Sequence, residues 1–172
     1  MKTMALAGTL LPGHEKWSAK EEEENAATRE MIEGVLMAAG AEELSRTPVA
    51  DVQSGKLKHL AVTYEFRLPA AEPWGLLKAL HPTPAVAGLP LEAAMAVIRK
   101  HEVHNRRLYS GWAGVSDGSG FRAYVNLRCA QLDENGAWLY AGAGINKGSD
   151  WQAEWRETEA KMQVISVCLK GH

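Results

Sequence analysis

The first long pattern of apolar and polar residues along the chain has the period of an α-helix. It begins at Ser18, which has Glu21 three residues later in the arrangement of a capping box, and it stops at Gly40. One face of this stretch carries a mainly apolar stripe: Ala27, Met31, Val35 and Ala38 or Ala39. The spacing therefore predicts a helix over 18–40.

Three further helices are predicted later in the chain. One is bounded by Pro73 and runs to Leu80, and another begins at Pro90, a favourable first residue for a helix. The second of these has an apolar stripe made of Leu91, Ala94, Met95 and Ile98. A final helix is predicted over 150–169, opened by Ser149 and Gln152 as a second capping box.

Alternation of apolar and polar residues predicts the strands. Residues 56–68 alternate and are rich in β-branched and aromatic side chains. Three more runs, joined by the turn sequences DGSG and ENG, predict an antiparallel meander: 107–117, 121–133 and 137–145. We expect loops at 41–55, which is mixed and polar, and at 81–90, where three prolines remove backbone donors. The order of elements predicts an α+β fold, with antiparallel sheet flanked by helices.

Composition narrows the class of protein. The chain has 172 residues, 46% of them hydrophobic and 23% charged, which suits a single folded domain. A formal net charge of −2, with dispersed Lys and Arg, disfavours nucleic-acid binding. The apolar stretch near the N-terminus is too short for a signal peptide, and no run of about 18 apolar residues predicts a membrane span. We therefore expect a cytoplasmic protein, with Cys129 and Cys168 as buried free thiols.

Two acidic pairs are candidates for a metal site. Glu154 and Glu157 lie three apart on the last predicted helix, and Glu21 and Glu24 lie three apart on the first. Carboxylates on two helices can flank one Mg²⁺, which takes one or two protein carboxylates together with water and ligand oxygens. For Glu154 and Glu157 the alternative is a solvated helix face, in which Glu157 pairs with Lys161. For Glu21 and Glu24 the alternative is a charged first turn that complements the helix dipole.

The turn AGAGINKGS between the last predicted strand and helix is a candidate anion site. It lacks the phosphate-loop pattern, but Gly142 and Gly144 let backbone N–H groups approach a carboxylate. The alternative is a strand end whose small residues serve packing. Arg128, on an apolar strand, needs either a ligand carboxylate or a structural Glu as its partner. For Tyr109 and His59, the sequence alone does not decide between a core residue and a residue that contacts the ligand.

Taken together, these stretches resemble the chorismate-binding enzymes, which include isochorismate synthase, salicylate synthase and the large subunits of anthranilate and aminodeoxychorismate synthases. HPTPAVAG is similar to the isochorismate synthase form of its motif. The similar stretches occur in the family's order and cover nearly the whole chain: ALAGT at 5–9, KEEEEN at 20–25, LKHL at 57–60, HPTPAVAGLP at 81–90, RRLYSGWAG at 106–114, NLRCA at 126–130 and LYAGAGINKGSDWQAEWRETEAKM at 139–162.

The resemblance implies a fold, a reaction and a set of site residues. The fold is the C-terminal portion of the anthranilate synthase component I-like fold, and the reaction is the Mg²⁺-dependent conversion of chorismate to isochorismate, a precursor of menaquinone and siderophores. The implied metal ligands are Glu24 and Glu157, with Glu21 and Glu154 beside them. The implied substrate contacts are Leu6, Gly8, Thr9, His59, Tyr109, Arg128, the backbone of Gly142, Ala143 and Gly144, and Lys161.

This sequence departs from the family in several places. Asn25 stands where the family usually has His, Ala87 where Gly or Ser is frequent, and LLPG follows Thr9 in place of RPRG. In the family a longer stretch before LAGT carries the lysine that activates water and the glutamate that protonates the leaving hydroxyl. We therefore expect residues 1–172 to be the C-terminal part of a chorismate-binding domain without its general base and acid, with a separate N-terminal half as a candidate partner. The alternatives are a chorismate-binding remnant without activity and a salicylate synthase.

Overall fold

The computed structural model describes residues 1–69, 73–118 and 120–169. The chain divides into an N-terminal unit, Met1–Lys100, and a C-terminal unit, His101–His172. Both contain helices and antiparallel strands, so the predicted α+β class is confirmed. No helix among the described residues is both long and apolar enough to span a bilayer.

The N-terminal unit is an antiparallel sheet covered by a helix. Strand β4 (Leu57–Arg67) lies centrally and pairs with three others, β1 (Lys2–Leu10), β2 (Glu42–Arg46) and β3 (Ala50–Ser54). Helix α1 (Ala19–Ala38) packs on this sheet. Three shorter helices follow: α2 (Pro73–Ala79), α3 (Pro84–Ala87) and α4 (Leu91–His101).

The core of this unit forms between α1 and the sheet. Ile32 and Leu36 of α1 are buried against Val62, Tyr64 and Phe66 of β4, together with Ala5 of β1 and Leu76 of α2. Burying each large side chain contributes about 1.5 to 3 kcal/mol. The long strand β4 therefore has a dry side, which fixes its register against β1.

Several predictions for this unit were wrong. Strand β1 was not predicted, and 41–55 forms β2 and β3 instead of a loop. The tract at 81–90 contains the short helix α3, because Pro84 can occupy a first helical turn. On α1 the buried residues are displaced by one position from the predicted stripe: Asn25, Thr28, Ile32 and Leu36.

The C-terminal unit contains two β-hairpins and a long helix. Strands β5 (Trp112–Ser116) and β6 (Phe121–Val125) form one two-stranded sheet, and β7 (Cys129–Asp133) and β8 (Gly136–Tyr140) form another. The predicted three-stranded meander is therefore wrong. Its middle run breaks before β7, at Arg128, where the backbone is left-handed with φ of 48°.

Helix α5 (Trp151–Leu169) ends the described chain, close to the predicted bounds. Its cap differs from the prediction, because the N–H of Ala153 donates to Oδ1 of Asp150 at 2.8 Å. The thiol prediction was also wrong in part: Cys129 is half-buried and Cys168 is exposed, although both are free.

Candidate functional site

The predicted site residues divide between the two units. Leu6, Gly8, Thr9 and His59 lie on the paired strands β1 and β4, and Glu21 and Glu24 lie in the first turns of α1. The C-terminal unit contains the remaining members: Tyr109, Arg128, Gly142, Ala143, Gly144, Glu154, Glu157 and Lys161.

In the N-terminal unit, a β-bulge brings three predicted residues together. The register of β1 against β4 shifts between Ala7 and Thr9, and Gly8 at the shift has φ of 82°. The carbonyl of Gly8 lies 2.9 Å from Nδ1 of His59, which is buried, and Oγ1 of Thr9 lies 3.4 Å from the same nitrogen. A proton on Nδ1 therefore satisfies the bulge carbonyl.

The bulge also lies against the start of α1. A Cβ added to Gly8 would lie 3.0 Å from the carbonyl oxygen of Glu21, so the strand approaches the helix as closely as a glycine allows. Leu6 differs from these residues, because its side chain is 46% exposed. A pocket contact for Leu6 stays a prediction.

Asn25 is a buried polar residue whose structural role the sequence did not reveal. Its Nδ2 donates to the carbonyls of Ala7 at 3.4 Å and Leu60 at 3.0 Å, and these two residues are paired across β1 and β4. Asn25 is 1% exposed, and its Oδ1 has no hydrogen-bond partner among the described residues. The amide thus ties α1 to both strands beside the bulge.

The acidic residues of α1 have local partners. The carboxylate of Glu21 accepts the Ser18 backbone N–H at 2.8 Å, which confirms the predicted capping interaction. Glu24 pairs with Lys20 at 3.8 Å, with both side chains largely buried. The charged first turn is therefore partly sequestered from solvent.

In the C-terminal unit, four predicted residues form a contiguous cluster. Nζ of Lys161 donates to the Gly142 carbonyl at 2.9 Å and pairs with Oε1 of Glu157 at 2.6 Å. On the other side, a Cβ added to Gly142 would lie 2.8 Å from the Tyr109 hydroxyl. We call Tyr109, Gly142, Glu157 and Lys161 the lysine cluster. The predicted pair of Glu157 with Lys161 exists, but its side chains are only 14% and 16% exposed, so this is not a solvated helix face.

Tyr109 is held by aromatic and cationic neighbours. Its ring stacks on Tyr140 with centroids 5.7 Å apart, and the guanidinium of Arg106 lies 5.8 Å from its centroid. Burial raises the pKa of Tyr109, so its hydroxyl stays a proton donor at neutral pH. Sequence reasoning did not identify Arg106 or Tyr140, because nothing in their spacing indicates that they contact Tyr109.

Glu154 is the one residue of α5 buried below a tenth of its surface, at 6%. It lines an open depression of about 250 Å³ together with Ala143, Ile145, Trp151, Trp155 and Thr158. Gly144 is exposed beside this depression. A carboxylate and an apolar wall therefore adjoin the glycine turn.

Arg128 occupies the link between β6 and β7, not the strand that was predicted for it. Its side chain is partly buried, and this burial lowers the pKa of the guanidinium. A cation taken partly out of water is a favourable partner for an anion.

Acidic residues of α1 and α5 are the candidate ligands for Mg²⁺. Among the described residues, no group of three or more His, Cys, Asp or Glu is arranged to hold a metal ion by itself. Each unit instead offers two carboxylates in neighbouring turns of one helix, with Glu154 and Glu157 both well shielded from water. This donor set fits a hard cation that takes one or two carboxylates and completes its shell with water and ligand oxygens.

Comparison with known proteins assigns the family. The model of the family described as chorismate binding enzyme matches residues 1–170, and the chain therefore belongs to the chorismate-binding enzymes. Isochorismate synthase EntC of Escherichia coli K12 is 35% identical over 150 residues, covering 86% of this chain and 38% of that protein. Isochorismate synthase MenF of the same strain is 32% identical over 180 residues, covering 99% of this chain and 42% of MenF.

Solved structures agree with this assignment. The menaquinone-specific isochorismate synthase MenF of Escherichia coli matches with a TM-score of 0.85 and 33% identity, over 98% of this chain and 42% of that one. DhbC from Bacillus anthracis matches with a TM-score of 0.86 and 31% identity, over 98% and 49% of the two chains. The resemblance found in the sequence is thus confirmed, and this chain spans less than half the length of these relatives.

Proposed function

We propose that this chain provides the part of an isochorismate synthase that binds chorismate and Mg²⁺. The complete enzyme isomerises chorismate to isochorismate. The family assignment supports the choice of reaction. The lysine cluster supports substrate binding by residues of this chain, and it is the observation that carries the proposal.

The lysine cluster is suited to a carboxylate ligand. The ammonium of Lys161 has three donors, of which the Gly142 carbonyl and Glu157 account for two. A substrate carboxylate accepts the third hydrogen bond of the Lys161 ammonium and another from the Tyr109 hydroxyl. Burial favours the neutral form of this hydroxyl, which can donate. Arg128 and the backbone of Gly142, Ala143 and Gly144 complete the proposed carboxylate contacts.

Glu154 and Glu157 are the proposed Mg²⁺ ligands of the C-terminal unit, with Glu21 and Glu24 as the further carboxylates that the family resemblance implies. When bound, Mg²⁺ withdraws charge from a substrate carboxylate. Lys161 pairs with Glu157 in the absence of the ion, which reduces the cost of shielding this carboxylate from water.

The N-terminal unit is proposed to contact the substrate ring. The bulge holds Gly8 and Thr9 beside His59, and the bond from Nδ1 of His59 to the Gly8 carbonyl fixes the orientation of the imidazole. Leu6 is proposed as an apolar contact. The general base and general acid are proposed to lie in the part of the relatives that this chain does not span, so turnover requires that part.

A chimera tests the proposal. This chain replaces the matched segment of MenF, and isochorismate formation from chorismate with Mg²⁺ is followed by chromatography. Lys161→Met should lower kcat/KM by about 10 to 100-fold, because it removes a charge-assisted contact worth about 1.5 to 3 kcal/mol. Lys2→Met is the matched control, since Lys2 also pairs with a glutamate, Glu65, at 3.6 Å.

The product identifies the reaction. Isochorismate is expected, whereas salicylate would assign a different member of the family. A folded chimera that forms neither product, or one that tolerates Lys161→Met as well as Lys2→Met, would refute the proposal.

A further inference from the structure

The backbone around Tyr109 has an unusual conformation. Two residues of this short loop, Arg107 and Ser110, have φ of 50° and 61° and so lie in the left-handed region. Residues with a Cβ rarely adopt it, because Cβ then approaches the following carbonyl oxygen. We call residues 107–110 the tyrosine loop. Such a backbone persists only where its surroundings hold it, so the contacts of this loop decide where the Tyr109 hydroxyl lies.

The side chain of Arg106 spans the tyrosine loop. Its guanidinium binds both carboxylate oxygens of Glu102, with Nε donating to Oε2 at 2.6 Å and Nη2 donating to Oε1. Its Nη1 donates to Oγ of Ser110, the last residue of the loop, at 3.0 Å. Arg106 therefore connects the residue just before the loop with the loop's far end.

The same guanidinium lies beside the Tyr109 ring, with its Cζ 5.8 Å from the ring centroid. The side chains of Arg106 and Glu102 are 23% and 29% exposed, so the pair is partly shielded from water. The hydrogen bond from Arg106 lowers the pKa of the Glu102 carboxyl, which keeps the pair ionised at neutral pH. A planar guanidinium can grip a carboxylate at two points while it contacts a hydroxyl and an aromatic ring, and a lysine ammonium cannot.

Asn126 holds the tyrosine loop from its other side. The backbone N–H of Ser110 donates to the Asn126 carbonyl at 2.9 Å, and Nδ2 of Asn126 donates to the Leu108 carbonyl at 2.9 Å. These hydrogen bonds fix the backbone of the loop. Arg106 differs from Asn126 because it contacts both the loop and the aromatic ring that the loop carries.

We infer that Arg106 is a positioning residue for Tyr109. Its hydrogen bonds to Glu102 and Ser110 hold the tyrosine loop, and its contact with the ring keeps the hydroxyl against Gly142, where an added Cβ would lie 2.8 Å from the hydroxyl oxygen. The inference rests on the proposed function in one respect, since the hydroxyl placed in this way donates to a substrate carboxylate. Arg106 acts through Tyr109 and makes no contact with the substrate.

Kinetics of the MenF chimera test this role. Arg106→Lys keeps the positive charge and removes the planar fork. It should raise KM for chorismate by about 5 to 20-fold, the equivalent of one hydrogen bond to a charged group. The turnover number kcat should change by less than about 3-fold, because the contact is made alike to bound substrate and transition state. Arg107→Lys is the matched control, the same change at the neighbouring exposed arginine, and should leave KM within about 2-fold.

A Tyr109→Phe background separates positioning from a direct role. Once the hydroxyl is absent, Arg106→Lys should alter KM by less than about 2-fold. Ser110→Ala is a milder second variant, since it removes one hydrogen bond of Arg106 and leaves the pair with Glu102. It should raise KM by about 2 to 5-fold with Tyr109 present and should have no effect in Tyr109→Phe.

The position of the ring can be measured without substrate. In the deuterated chimera with protonated tyrosine and glycine, a nuclear Overhauser effect is expected between the Tyr109 ring and the α protons of Gly142. It should persist in Arg107→Lys and weaken at least 3-fold in Arg106→Lys. Urea unfolding of each variant checks that it is folded.

Three results would overturn the inference. Equal KM values for Arg106→Lys and Arg107→Lys would show that the fork is not needed. An equal rise in KM with Tyr109 and with Tyr109→Phe would show that Arg106 acts by another route. A raised KM with an unchanged nuclear Overhauser effect would show that the hydroxyl has not moved. Failure of the proposed function is distinguishable from these, because Tyr109→Phe alone would then leave KM unchanged.

Discussion

The contact between Gly142 and Tyr109 is the most sharply testable feature of the lysine cluster. In Gly142→Ala the new Cβ would lie 2.8 Å from the Tyr109 hydroxyl oxygen, whereas ordinary contacts begin at 3.4 Å. The hydroxyl must therefore move by about 0.6 Å. Stacking on Tyr140 and the guanidinium of Arg106 resist this movement. We expect a loss of about 1 to 3 kcal/mol in the free energy of unfolding, the usual cost of overpacking.

The clash is confined to one atom, which permits a double-mutant cycle. The next nearest atom to the added Cβ is Cζ of Tyr109 at 3.9 Å, an ordinary contact. In a Tyr109→Phe background, Gly142→Ala should therefore be neutral or should stabilise by about 0.4 to 1 kcal/mol through the unfolded chain. The expected coupling energy between the two substitutions is about 1 to 3 kcal/mol.

Urea unfolding followed by tryptophan fluorescence measures the cycle. Four of the six tryptophans lie in the C-terminal unit, so the signal reports mainly on that unit: Trp112, Trp138, Trp151 and Trp155. If Gly142→Ala costs the same in the Tyr and Phe backgrounds, to within about 0.5 kcal/mol, the hydroxyl does not lie against Gly142 and the cluster is misassigned.

Three further predictions concern the N-terminal unit. Gly8→Ala should lower the free energy of unfolding in urea by about 2 kcal/mol, because φ is 82° and the carbonyl oxygen of Glu21 lies 3.0 Å from the new Cβ. Gly34→Ala is the control: this helical glycine has open space around it, so the substitution should stabilise the protein. Burial and Glu33 raise the pKa of Tyr64 to about 12, so the free energy of unfolding should fall by about 2 kcal/mol from pH 10 to 12. Tyr64→Phe should abolish this fall. If the pH profile of Tyr64→Phe equals that of the unsubstituted protein, the fall does not come from Tyr64. Burial lowers the pKa of His81, so stability should decrease as pH falls below about 6.5, and His81→Gln should remove this dependence in acid unfolding curves.

The long helices could be predicted from the sequence, and most of the sheet of the N-terminal unit could not. Helices α1 and α5 have caps and many turns of periodic sequence. Strand β1 is interrupted by Gly8, which breaks the strand pattern although the bulge requires it. Strands β2 and β3 are exposed along almost their whole length, so they have no buried face to produce alternation.

Polar burial and local backbone conformation account for two other errors. The buried face of α1 includes Asn25 and Thr28, so a search for apolar residues places the face one position away. The meander failed because Arg128 adopts φ of 48°, which no pattern of hydrophobicity reveals. Such choices are decided by tertiary contacts and not by local sequence.

For the candidate site, spacing identified the partners but not their burial. The i and i+4 spacing of Glu157 and Lys161 predicts an ion pair whether the helix face is wet or dry. Only the structure shows both side chains shielded and the ammonium bound to the Gly142 carbonyl. Whether Glu24 and Glu157 bind the same ion stays a prediction.

Calorimetric titration of chorismate into the MenF chimera, with and without Mg²⁺, tests the central proposal most directly. We predict that Mg²⁺ increases the affinity at least 10-fold and that Glu157→Gln removes this increase while chorismate still binds. Affinity that is independent of Mg²⁺, or an unchanged Mg²⁺ effect in Glu157→Gln, would contradict the assignment of this helix to the metal and substrate site.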